Sequence, residues 1–81
     1  MADLPPKPPE VAELRHEVEL RKARLDVLKV AYFNRTPFEG KVPIEEDVRE
    51  AAREFIESNY ALQKKLFGKI QVKLSVANLL R

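Results

Sequence analysis

The stretch NRTPFEGKVP, residues 34–43, most constrains what this chain can become. Pro37, Gly40 and Pro43 fall within seven residues, and neither proline nor glycine recurs for more than twenty residues on either side. Proline fixes φ and has no N–H to give, and glycine costs about 1 kcal/mol in a helix interior, so a regular helix does not cross this segment. Two long segments joined by one short break predict an all-α fold, an antiparallel helical hairpin.

The first helix is expected from about Pro9 to Phe33, behind a proline-rich extended arm at residues 1–8. Proline is well tolerated in a first turn, and Glu10 and Glu13 suit the positive end of the helix dipole. The arm holds two overlapping PxxP spacings that could dock on an aromatic groove, although a leader running into the helix is the plainer reading. Val11, Leu14, Val18, Leu25, Leu28 and Tyr32 recur at helical spacing, interrupted only by Arg21. A second row, Leu20, Ala23, Val27 and Val30, lies nearly opposite the first at about 100° per residue. One neighbouring helix cannot cover both faces.

After a loop at 34–42, the second helix is expected to start at Pro43 and run to Phe67, with Glu45, Glu46 and Asp47 in its first turn. Ile44, Val48, Ala51, Ala52, Phe55, Leu62 and Leu66 form its apolar row. From Ile70 to Val76 apolar and polar residues alternate, as in a half-buried strand, but no other segment offers a clean partner strand. With a helical period, Ile70, Leu74 and Ala77 extend the row of the second helix, and continuation to Leu80 is the expectation. Ser75 could instead cap a separate short helix, VANLLR. A continued second helix would span roughly 57 Å against roughly 37 Å for the first, at 1.5 Å per residue. The overhang and the second face of the first helix then need cover. A dimeric helical bundle supplies it; the alternative is a three-helix monomer with its tail turned back at Gly68.

At 81 residues the chain is one small domain, 9–81, with a thin core, for which association is a common remedy. It has no cysteine and no long apolar run, so disulfides, thiolate metal sites and membrane spans are not expected. The arm has no apolar stretch of signal-peptide type, and a soluble cytoplasmic protein is the expectation. The net charge of +2 hides a split: Ile44–Tyr60 carries a balance of −4, and Ala61–Arg81 a balance of +5 without an acid. Such a pattern suits a partner of complementary charge.

Little points to catalysis. His16 is the only histidine, and ELRH places Glu13 and His16 three residues apart, the spacing seen in di-iron bundles. The acids of the second helix lie off its apolar row, so a solvated histidine is the simpler reading and no metal is expected. The stretch LRHEVE, Leu14 to Glu19, resembles in a few residues the first helix of the small all-helical chorismate mutases, a family in which arginines bind a dicarboxylate. The arginines here do not gather on one candidate pocket. No glycine-rich phosphate loop is present, and a non-catalytic protein without cofactor is expected.

The lysines of the tail admit a solvated surface or a nucleic-acid contact, the latter opposed by few cations and an acidic row nearby. A spacing argument favours self-association. Two second helices placed antiparallel, centred between residues 59 and 60, would set Glu54 against Lys65 and Glu50 against Lys69, with the small Ser58 opposite Ala61. Val72, Val76 and Leu79, with the Leu20, Val27 and Val30 row, would supply burial. The expected function is a self-associating protein–protein interaction or adaptor module, a homodimer able to engage another protein through its C-terminal segment. The alternatives are a small nucleic-acid-associated regulator and, more remotely, a small helical enzyme or metal binder.

Overall fold

A computed structural model describes residues 11–81; the proline-rich arm and the helix start expected at Pro9 lie outside the described residues. Two long helices, α1 (Val11–Asn34) and α2 (Glu45–Phe67), pack antiparallel, and a short helix α3 (Val76–Leu79) follows. The described chain measures 54 × 31 × 15 Å. A thickness of 15 Å admits one layer of helices, so nothing among the described residues covers the broad faces as a second layer would.

The core is the seam between α1 and α2. Leu25 and Leu28 of α1 meet Val48, Ala51, Ala52 and Phe55 of α2, all buried, with Val48 wholly sealed. Alanines and the buried Ser58 let the helices approach closely. Arg21, the interruption in the apolar row of α1, bridges the seam. Its Nη1 donates to the Glu54 carbonyl at 3.0 Å, and its Nη2 pairs with Glu17 at 2.7 Å.

The hairpin turn uses the left-handed region three times. Arg35 (φ 55°) ends α1: its N–H reaches the Tyr32 carbonyl and the Thr36 N–H reaches that of Ala31, a Schellman arrangement without the usual glycine. Glu39 (φ 52°) and Gly40 (φ 89°) then form a tight reversal in which Phe38 and Lys41 exchange backbone hydrogen bonds. Positive φ at both central residues is the pattern of a type I′ turn. Phe38 packs against the core cluster with Arg24 over its ring.

The second helix begins two residues later than expected. Ile44 is extended (φ −103°, ψ 169°) and occupies the N-cap, so Pro43 sits before the helix, buried. Asp47 accepts the Ile44 N–H at 3.1 Å; isoleucine has no oxygen with which to reciprocate.

The expected continuation of the second helix to Leu80 is corrected by the structure. Gly68 adopts φ 75° and donates its N–H to the Lys64 carbonyl, closing α2 with a left-handed cap. A Cβ at Gly68 would meet nothing within 4 Å, so backbone conformation alone demands glycine here. The chain turns back along α2, runs from Lys69 to Ser75 without regular structure, and forms α3 capped by the Ser75 hydroxyl, which accepts the Asn78 N–H at 3.1 Å. Alternation in the tail therefore reports extended chain with Ile70, Leu74 and Val76 turned partly inward. The chain follows the turned-back alternative, with one difference: the tail docks on α2 and leaves Leu20, Val27 and Val30 of α1 exposed.

Candidate functional site

The face that remains open belongs to α1. Leu20, Val27 and Val30 are 54%, 48% and 59% exposed, on the side of the helix opposite Leu25 and Leu28. The apolar residues of α1 divide between two opposite sides, whereas those of α2 gather on one, so pairing of the two helices satisfies α2 and only half of α1. Val30 stands as a ridge between two shallow apolar hollows. Val27, Ala31, Pro37 and Phe38 line one; Asp26, Phe33 and Arg81 border the other. At the loop end, exposed Phe33, Val42 and Ile44 frame a third hollow with Tyr32 and Pro43.

The tail explains why this face stays open. It is held to α2 by side chains that the sequence reasoning missed. Gln63 is buried, and its Oε1 accepts the N–H groups of Gln71 and Val72, both at 2.7 Å. Its Nε2 donates to the Val72 carbonyl at 2.8 Å and to Asn59 Oδ1 at 2.6 Å. One turn earlier, the Tyr60 hydroxyl accepts the Leu74 N–H at 2.9 Å and donates to the Leu74 carbonyl at 3.1 Å. A glutamine and a tyrosine thus do for the tail what a neighbouring strand would do. The signal was present: an alternating segment behind a glycine needs backbone partners, and Gln63 and Tyr60 are the uncharged polar side chains nearest before the turn. Beyond them Leu74, Val76, Leu79 and Leu80 pack on the core cluster, and Lys29 Nζ donates to the Arg81 carbonyl at 3.0 Å.

The other positions expected at an interface are divided. Glu50, Ala61 and Lys65 lie exposed on α2, and Val72 is exposed on the tail. Val76 and Leu79 are half-buried against the chain's own core. Two premises of the antiparallel α2 register are corrected. Ser58 is buried with its hydroxyl on the Glu54 carbonyl at 2.7 Å, because the α1 seam takes the small residues. Lys69 lies beyond the Gly68 cap, off the helix that was to align it with Glu50.

The acids in the first turn of α2 are matched locally. Glu45 pairs with Arg49 and Glu46 with Arg53, both at 2.9 Å, and Asp47 with Lys41 at 3.4 Å. The Ile44 N–H holds the Asp47 carboxyl below its ordinary value of 3.8; burial opposes this, and Lys41 reinforces it. Lys64, Lys65, Lys69 and Lys73 are exposed and make no ion pair among the described residues. Glu13 and His16 are exposed, and no group of three His, Asp or Glu side chains among the described residues is placed to hold a metal ion. No helix of the described residues is long and apolar enough to cross a membrane. Against known proteins, the chain matches no family model, no curated protein and no solved structure.

Proposed function

We propose that this chain is a non-catalytic protein–protein interaction module that self-associates through the outer face of α1. The observation that carries this reading is the exposed row of Leu20, Val27 and Val30, opposite the face that α2 covers. Each such side chain gains about 1.5–3 kcal/mol on full burial, and the single layer of helices among the described residues has no other element to bury them. A second copy offers the same row.

Mass measured by sedimentation or light scattering over a range of concentrations tests it. The 9.4 kDa chain should approach twice that mass as concentration rises and hold it at moderate salt, since apolar burial is little screened. Val27→Lys should hold the chain monomeric while leaving its circular dichroism unchanged. A wild-type chain that stays monomeric at high concentration overturns the reading.

A second reading is favoured by one observation. The tail lysines lack partners among the described residues, while the first three acids of α2, Glu45, Glu46 and Asp47, are engaged by Arg49, Arg53 and Lys41. That arrangement suits contact with phosphate, and the same salt series discriminates: nucleic-acid affinity must fall steeply as salt rises.

A further inference from the structure

The exposed row of α1 has a period that specifies more than burial. Leu20, Ala23, Val27, Val30 and Asn34 advance by three, four, three and four residues. This is the seam of a two-stranded coiled coil, with Leu20, Val27 and Asn34 at one core position (a) and Ala23 and Val30 at the other (d). Residues flanking the seam then decide which way a second copy lies. Resting on the self-association proposed above, we infer that two copies pair through α1 in parallel and in register.

Charge complementarity carries the orientation. In a parallel pair, each seam-flanking residue before an a position faces the residue five places on in the other chain. That sets Glu19 against the partner's Arg24, twice by symmetry. Glu19 makes no ion pair among the described residues. Arg24 is half-exposed, steadied by Phe38 with the ring centroid 5.9 Å from its guanidinium carbon, and only loosely engaged by Glu39 at 3.7 Å. An antiparallel pair centred on Leu25 matches the apolar residues equally well, Leu20 with Val30 and Ala23 with Val27. It brings Arg24 against the partner's Arg24 and Asp26 against the partner's Asp26. Like charges facing across a seam oppose that arrangement. The β-branched Val27 and the polar Asn34 at a positions also suit a parallel two-stranded pair.

The absence of native cysteine makes orientation directly measurable. In the parallel pair Val30 faces its own copy, with Cα atoms within the roughly 4.4–6.8 Å that a disulfide spans. The Val30→Cys chain should therefore cross-link to itself on mild oxidation. In the antiparallel pair the two positions are offset by about 15 Å along the helix, and cross-linking needs a mixture of Leu20→Cys and Val30→Cys chains. Charge reversal gives a second reading that leaves the apolar row untouched. Glu19→Arg and Arg24→Glu should each weaken the dimer by about fivefold at low salt, and the double variant should recover most of the loss. A dimer by mass that cross-links only in the mixture, or whose charge variants lose affinity additively, overturns the parallel pair and leaves self-association standing. A monomeric wild-type chain overturns both.

Discussion

Gln63 and Val72 exchange two hydrogen bonds between a side-chain amide and a backbone: the Val72 N–H donates to Oε1 at 2.7 Å, and Nε2 donates to the Val72 carbonyl at 2.8 Å. Through this exchange a seven-residue segment without regular structure acquires a fixed place on a helix. The tail's position then determines which face of α1 remains open.

Replacing Gln63 by Leu should therefore loosen the tail while sparing the hairpin. The N–H groups of Gln71 and Val72 would lose their acceptor, an effect of about 1–3 kcal/mol if they stayed dry. Hydrogen exchange should accelerate at least about tenfold at Gln71, Val72 and Leu74, with the α1–α2 core amides little changed. Unaltered protection would show that burial of Leu74, Val76 and Leu79 holds the tail by itself.

Gly68→Ala tests the reversal. No atom obstructs the added Cβ, so the cost is that of an L-residue at φ 75°, about 1 kcal/mol in net stability. Denaturant midpoints would measure it. A neutral result would mean that the tail can leave α2 by another path.

Arg35→Gly should act in the opposite direction. Arg35 sits at φ 55° in a Schellman arrangement that glycine enters without strain, so the variant should gain up to about 1 kcal/mol. The thermal midpoint should rise. A fall would reveal that the arginine side chain supports the turn by contacts that outweigh its backbone strain.

The Asp47 carboxyl binds its proton less readily in the fold than its ordinary value of 3.8, chiefly because the Ile44 N–H stabilises the charged form. Its contribution is therefore present above that pH and is lost as pH falls through the lowered folded-state value. Asp47→Ala should lower the thermal midpoint at neutral pH, and the gap to wild type should narrow as the solution is acidified below 3.8. A gap independent of pH would show that the charge of the Asp47 carboxylate contributes nothing to it.

Local sequence by itself determined the all-α class, the break at 34–43 and the two-helix hairpin, because helix breakers and apolar periodicity act over a few residues. The core face of each helix followed from the same spacing: Leu25 and Leu28, Val48, Ala51, Ala52 and Phe55 are buried where their rows placed them. So did the two-faced character of α1. Tertiary structure decided the rest. Ile70–Val76 alternates in a way compatible with strand, helix or a docked extended chain, and the choice fell to a left-handed glycine and to Gln63 and Tyr60. Ser58 and Lys69 looked like matched surface positions along one helix. The close approach of α1 took the first into the interior, and the Gly68 cap removed the second from the helix. Helical spacing records which residues share a side. Which side another element occupies depends on contacts between segments distant in sequence, and those exist only once the chain has turned back on itself.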